Sequence, residues 1–343
     1  MTNTKRYNVA IVGATGAVGE TMLSILEERD FPIKTLSLLA SKRSAGKTRE
    51  FAEEMIEVEC LDDFDFSNTD IALFSAGGSI SEKYAPKAVE QGAVVIDNTS
   101  FFRYEDNIPL VVPEVNPKAI ANYTARGIIA NPNCSTIQMM VAVKPLHDKA
   151  GIERITVSTY QAVSGSGRVG IDELIHQTGE MLNGRNVEPK VFPQPIAFNA
   201  IPHIDLFMDN GYTKEEMKMV WETHKILNDK TIEVNPTAVR IPVLYGHSEA
   251  IHVRLKSPLS SDDARTLLRE SPGIEVIDNI KERQYPTAFK HAASADPVYV
   301  GRIRQDLNDD KGLNLWVVAD NVRKGAALNA VQIAEILIER YLK

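Results

Sequence analysis

The sequence predicts an α/β chain of two domains, a parallel-sheet domain followed by an α+β domain, and three observations carry this. The chain has 343 residues, more than one ordinary core organises; at roughly 100–200 residues per domain two domains are expected. Over the first 130 residues, short apolar strands alternate with helical segments, the pattern of a parallel sheet covered on both faces. After Asn131-Pro132-Asn133 that rhythm gives way to longer, mostly alternating strands separated by connections containing Pro and Gly, such as 188–202, which predicts a mixed or antiparallel sheet.

Taken in order, residues 7–12 read as a short buried strand. A glycine turn follows, then a helix over 20–29 and a second strand over 35–40. Residues 71–75 form a third strand closed by Gly77-Gly78. A helix over 81–91 stops at Gly92 and leads to a strand over 93–97. In the second domain a helix is expected over 134–149, with strands over 155–161 and 250–255. Near the C-terminus, Ala330, Ile333, Ala334, Leu337, Ile338 and Tyr341 recur at helical spacing on one apolar face, which is expected to pack on the first domain. The boundaries expected are 1–132 completed by 322–343, and 133–321.

Composition narrows the class. Hydrophobic residues make up 43% and charged residues 24% of the chain, near the globular average, which excludes large-scale disorder. The 20 Gly and 17 Pro suffice to mark loops and are too few for a fibrous chain. A net charge of −8 argues against nucleic acid or an anionic membrane as the main partner. Residues 1–6 are not followed by a signal-peptide core, and no apolar run approaches the roughly 20 residues of a membrane helix. Two cysteines, Cys60 and Cys134, cannot build a disulfide framework and fit a reducing compartment. A cytoplasmic protein without a metal site is expected.

The segment Gly13-Ala14-Thr15-Gly16-Ala17-Val18-Gly19 lies directly after a strand and opens a helix. Glycines there permit a tight turn and close backbone approach, so that a pyrophosphate can sit on the helix N-terminus. The spacing is G-x-x-G-x-x-G rather than the standard G-x-G-x-x-G, but its position after the first strand favours a Rossmann-type dinucleotide site, with Gly13, Thr15, Gly16, Ala17 and Val18 against the cofactor, over a plain strand–helix turn. The end of the second strand selects the dinucleotide. An NAD site usually carries Asp or Glu there, whereas this chain reads Ser41-Lys42-Arg43-Ser44. A cation with hydroxyl donors suits a 2′-phosphate, so NADP is the cofactor expected, against the alternative that Lys42 and Arg43 are a solvated loop.

Cys134 follows Pro132-Asn133 and precedes an apolar helix, which places its sulfur at a helix N-terminus, where thiolate is favoured. Cys60 reads as a small buried hydrophobe. An activated thiol beside a nicotinamide domain suggests one reaction class: thiolate adds to an aldehyde, hydride leaves to the cofactor, and a thioester remains. A proton carrier is then needed. His247 stands at a glycine-marked turn between strand-like runs, and His252 lies within the following strand; the residues alone leave both open.

These segments together resemble the aspartate-semialdehyde dehydrogenase family over nearly the whole chain. The matching stretches are the glycine turn 13–19, Ser41 to Gly46, Asn98-Thr99-Ser100 with Phe102-Arg103, Pro113-Glu114-Val115-Asn116, Asn131 to Thr136, Tyr160 to Gly165, Arg240 to Glu249, and Asp320-Asn321; the short second domain is similar to the Gram-positive type. The resemblance implies a glyceraldehyde-phosphate-dehydrogenase-like catalytic and dimerisation domain in a homodimer. It implies Cys134 as nucleophile, His247 as general acid/base and Gln161 as the group orienting the substrate at the thioester. Arg240 would hold the substrate α-carboxylate and Glu215 its amino group. Arg103 and Lys218, with Asn133 beside them, would hold phosphate. Arg43, Ser41 and Ser44 would hold the 2′-phosphate, and Ser164, Gly165 and Asn321 the nicotinamide half. The implied reaction interconverts L-aspartate 4-semialdehyde, phosphate and NADP with 4-aspartyl phosphate and NADPH, feeding lysine, diaminopimelate, threonine, methionine and isoleucine synthesis.

The residues around Glu215 and Lys218 also admit a plainer reading. Thr213 to Glu216 is a capping box. Glu215, Lys218, Glu222 and Lys225 then share one helix face, expected to be solvated, with Met217, Val220, Trp221 and His224 opposite. Two rival functions also remain: another phosphorylating aldehyde dehydrogenase, such as a glyceraldehyde-phosphate or acylglutamyl-phosphate enzyme, and a non-enzymatic NADP-binding sensor.

Overall fold

The computed structural model describes residues 5–342; Met1–Thr4 and Lys343, which the expected first domain includes, lie outside the described residues. The chain divides into two compact units, one holding the residues up to Pro132 and from Ala326 onward, the other Asn133–Gly325.

The first unit contains β1 (Tyr7–Val12), α1 (Ala17–Glu28), β2 (Ile33–Ala40), β3 (Thr48–Phe51), β4 (Glu54–Cys60), β5 (Ile71–Phe74), α2 (Gly78–Glu90), β6 (Val94–Asp97) and β7 (Ile128–Ala130). They form one sheet in the order β3-β4-β2-β1-β5-β6-β7. All its pairings are parallel except the β3–β4 hairpin. Every residue of β5 and β6 is buried, which is why these strands read as apolar runs, interrupted only by Asp97 at the end of β6. The C-terminal helix (Leu328–Arg340) contributes Ala330, Ile333, Ala334 and Leu337 to the same core as Val9, Ile11 and Met22. It is tied down by the two-pronged Arg29–Glu335 ion pair at 2.7 and 2.8 Å.

The β3–β4 hairpin carries no advance signal. A two-residue hairpin of this kind needs positive φ at both central positions, normally advertised by Asn-Gly or Asp-Gly. Here Ala52 (φ 50°) and Glu53 (φ 66°) occupy them.

The second unit contains α3 (Cys134–Ala150), β8 (Ile152–Gln161), α4 (Arg168–Leu182), α5 (Lys214–Leu227), β9 (Glu233–Arg240), β10 (His247–Leu255), α6 (Ser261–Arg269), β11 (Ile274–Val276), β12 (Val298–Gln305) and β13 (Gly312–Ala319). The sheet order is β11-β12-β13-β10-β8-β9, with β8–β9 and β11–β12 parallel and the rest antiparallel. This is the mixed sheet expected of an α+β domain. Pro236 lies inside β9, where it hides the strand from a sequence reading; an edge strand tolerates it, having one side without a ladder.

Alternation assigns the faces. Ile155, Val157, Ile251, Val253, Leu313, Leu315 and Val317 are buried, and α3 packs on β8, β10 and β13. The opposite face carries the half-buried Tyr160, Ala250, His252 and Trp316, with the Tyr160 and Trp316 rings 5.5 Å apart.

Candidate active site

Within the second unit, strand pairing brings three side chains to one end of the sheet. Gln161 and Arg240, the last residues of β8 and β9, lie opposite each other in the parallel register. His247 opens β10 beside Ala319, the last residue of β13. Cys134 is the first residue of the 17-residue α3, behind the N-cap residue Asn133. Gly325 packs against it so closely that a Cβ there would lie 2.8 Å from the Cys134 Cβ.

A buried polar network links these positions. Asn133 Nδ2 donates to Glu215 Oε1 at 2.9 Å, and Gln161 Nε2 donates to the same oxygen at 3.0 Å. Gln161 also donates to Ser135 Oγ. The Asn133 amide N–H donates to Glu222 at 2.7 Å, and Asn133 Oδ1 is 3.6 Å from Cys134 Sγ. Lys218 Nζ bridges Asp205 Oδ2 (2.7 Å) and Glu215 Oε2 (3.0 Å). Burial works against the Glu215 charge. The Lys218 ammonium outweighs it, with hydrogen bonds from Gln161 and Asn133, and holds the carboxyl down to about 2.

The solvated face expected for Glu215, Lys218 and Glu222 is therefore not what forms. Glu215 is 6% and Glu222 0% exposed, because α5 packs this polar stripe against α3 and β9. The capping box is present: Thr213 accepts from the Glu216 N–H while Glu216 accepts from the Thr213 N–H.

One peptide unit fixes the other two groups. The Ala162 N–H donates to His247 Nδ1 at 3.0 Å, and Arg240 Nη1 donates to the Ala162 carbonyl at 2.7 Å. With Nδ1 accepting, the neutral ring carries its hydrogen on Nε2. Burial, with the Arg240 guanidinium adding to it, pulls His247 down to about 3, so the ring is neutral near pH 7. His247 Nε2 is buried without a hydrogen-bond partner among the described residues. It lies beside Gly165, as does Arg240 Nη1; a Cβ on that glycine would stand 3.6 and 2.9 Å from them. Asn321 Oδ1 accepts from the Gly246 N–H at 3.0 Å, and its Nδ2 donates to Ser164 Oγ at 2.9 Å. Ser164 and Asn321 thus brace the turn that presents His247. His252 instead pairs with Asp306 at 2.8 Å, on the opposite sheet face.

In the first unit the glycine turn has the form a dinucleotide needs. Gly13 has φ 94°, and a Cβ on Gly19 would stand 2.2 Å from the Gly13 carbonyl oxygen, so α1 can start this close only with glycine. Gly16 caps α1 without a side chain, which leaves the helix start open to an anion. Past β2, Ser41 to Gly46 form a turn in which the Ser44 N–H donates to the Ser41 carbonyl at 2.8 Å. Arg43 is exposed on it and Ser44 is buried. Arg103 is buried and donates from Nη2 to the Asn98 carbonyl at 2.9 Å.

Two family models match the chain: "Semialdehyde dehydrogenase, NAD binding domain" over residues 8–123 and "Semialdehyde dehydrogenase, dimerisation domain" over 143–324. A relative named aspartate-semialdehyde dehydrogenase, from Legionella pneumophila, is 64% identical over 98% of this chain and 97% of its own. The chain belongs to the aspartate-semialdehyde dehydrogenase family. Aspartate-semialdehyde dehydrogenase 2 of Vibrio cholerae is 60% identical over 98% of this chain and 99% of its own. The crystal structure of aspartate semialdehyde dehydrogenase II complexed with ASA, from the same organism, matches with a TM-score of 0.97 at 59% identity, covering 98% of this chain and all of that one. An aspartate semialdehyde dehydrogenase with NADP from Candida albicans matches with a TM-score of 0.76 at 27% identity, covering 97% of this chain and 99% of that one.

The expected Gram-positive type is not supported. Relatives at 58–64% identity come from the Gram-negative genera Legionella, Shewanella and Vibrio, whereas a Bacillus subtilis relative stands at 49%. Relatives of both groups align over 96–98% of this chain, so chain length does not separate them.

Sequence reading missed Ser135, Ala162, Asp205 and Glu222. Ser135 and Ala162 adjoin residues it singled out. Glu222 follows Glu215 by seven residues on the same stripe. Asp205 carries no sequence signal.

Proposed function

We propose that the chain is an NADP-dependent, phosphorylating aspartate-semialdehyde dehydrogenase acting through a thioester on Cys134. The observation that carries this is one cluster in which a half-buried helix-start thiol and a buried guanidinium, carboxylate and imidazole Nε2–H are each oriented by the backbone or by buried partners. Arg240 and Glu215 suit the two charged ends of an amino acid. A guanidinium fork binds the α-carboxylate, and an ionised carboxylate binds the ammonium.

The Cys134 thiolate bonds to the aldehyde carbon, and the carbonyl electron pair moves onto oxygen. His247 Nε2–H donates to that oxygen and stabilises the developing charge. The tautomer held by Ala162 is a donor; a base role at Nε2 requires the other tautomer and the loss of the Ala162 hydrogen bond. Gln161, anchored by Ser135 and Glu215, orients the acyl group. When bound, the nicotinamide supplies the hydride acceptor. A phosphate oxygen, held by Lys218, attacks the thioester carbon and returns the thiolate, releasing 4-aspartyl phosphate.

The absence of an acid after β2 and the presence of Arg43 support NADP over NAD. The half-covered sheet face carrying Tyr160 and Trp316, in a domain of dimerisation type, supports a homodimer. A reactive thiol fits the reducing cytoplasm, where the aspartate-family amino acids are made. The test is reduction of NADP by L-aspartate 4-semialdehyde with and without inorganic phosphate. Turnover that needs phosphate and prefers this aldehyde to N-acylglutamate semialdehyde and glyceraldehyde phosphate is expected; equal rates on all three would remove the substrate assignment.

A further inference from the structure

We propose that Asp205 occupies Lys218 as a stand-in anion, so that phosphate reaches this ammonium by exchange with the Asp205 carboxylate; this rests on the assignment of Lys218 to phosphate above. Lys218 Nζ has three N–H donors. One points to Glu215 Oε2 at 3.0 Å and another to Asp205 Oδ2 at 2.7 Å. Two carboxylates on one ammonium leave the group with a negative sum, which repels a phosphate dianion approaching the same cation.

The two carboxylates are not equally able to leave. Glu215 is also held by Asn133 and Gln161, and its side chain is 7% exposed. Asp205 belongs to the loop before α5, and its side chain is 29% exposed. That loop aims it at Lys218. Asp205 has φ 67°, a left-handed conformation that Asp tolerates better than most residues. Its Oδ1 accepts the Leu206 N–H at 2.9 Å. Only Oδ2 faces the ammonium, in the manner of one phosphate oxygen. Asp205 is thereby a residue that sets the affinity for the anionic co-substrate, and it takes no part in bond making.

Asp205→Asn tests this with little structural disturbance, since Asn also tolerates left-handed φ and keeps an oxygen for the Leu206 N–H. The KM for inorganic phosphate in the oxidative direction should fall roughly 3- to 10-fold, the range for removing one partly exposed competing charge. Calorimetric binding of inorganic phosphate, without aldehyde, should tighten in parallel. Lys218→Ala should raise the phosphate KM, and adding Asp205→Asn to it should then change that KM by less than about twofold. If Lys218→Ala raises the KM while Asp205→Asn leaves it unchanged or raises it, Asp205 merely orients Lys218 and the exchange is wrong. If Lys218→Ala leaves the phosphate KM unchanged, the phosphate assignment of Lys218 itself falls, and the exchange with it.

Discussion

Replacing Glu215 by Gln removes the charge at the centre of the network while keeping its shape. The carboxyl is held at about 2 rather than the usual 4.5. At about 1.4 kcal/mol per tenfold change in proton affinity, that depression contributes on the order of 3 kcal/mol to the folded chain at neutral pH. A lowered value means stability that is present above about 4.5 and is lost as pH falls toward about 2. Glu215→Gln cannot ionise and lacks it at every pH. Its amide hydrogens would also face the Lys218 ammonium, donor against donor. Thermal unfolding of both proteins between roughly pH 3 and pH 7 should show the variant less stable at pH 7 by about 2–3 kcal/mol, with the gap narrowing steadily below about pH 4.5. A gap below about 0.5 kcal/mol at pH 7, or one independent of pH, would refute the claim that this buried carboxylate is ionised and paired.

Other perturbations separate the remaining assignments. Arg43→Ala should raise the KM for NADP by roughly 10- to 150-fold, the loss of one charged contact to phosphate; equal damage to NAD kinetics would remove Arg43 from the 2′-phosphate site. Arg240→Lys should lower kcat/KM for the aldehyde by at least about tenfold, because an ammonium cannot both reach the Ala162 carbonyl and fork onto a carboxylate; wild-type kcat/KM would show that the contact is a point charge. Glu249 is fully buried, neither carboxyl oxygen has a hydrogen-bond partner among the described residues, and burial pushes it well above the usual range against a smaller effect of Gln138. A raised value means stability that is complete at acid pH and is lost as pH climbs toward the folded value, so Glu249→Gln should gain on the parent as pH rises from 5 to 8; parallel stability curves would show an ionised or hydrogen-bonded carboxylate.

Much of the fold was legible because burial writes itself into composition. β1 spans the residues expected, and α3 starts at Cys134 as the Pro-Asn preceding it implies. Failures fall where backbone or partner chemistry departs from the usual residues. The β3–β4 turn uses Ala52-Glu53 in place of Asn-Gly, and Pro236 disguises an edge strand. At the site, Cys134, Gln161, Arg240 and His247 could be named from local context and resemblance, yet their arrangement could not. The Ala162 peptide, which sets the His247 tautomer and holds Arg240, acts through main-chain atoms that every residue has. The burial of Glu215 and Glu222 depends on which side of α5 meets α3, and a polar stripe gives no hint that it faces inward.

The covalent step is the centre of this account, and the mass of the enzyme tests it most directly. Incubation with L-aspartate 4-semialdehyde and NADP in the absence of phosphate should trap the aspartyl group as a thioester. Intact-protein mass spectrometry should show one acyl adduct, peptide mapping should place it on Cys134, and hydroxylamine or inorganic phosphate should remove it. Cys134→Ser should retain NADP binding and show neither thioester nor appreciable turnover. An adduct on Cys60, or full activity in Cys134→Ser, would contradict the mechanism at its first step.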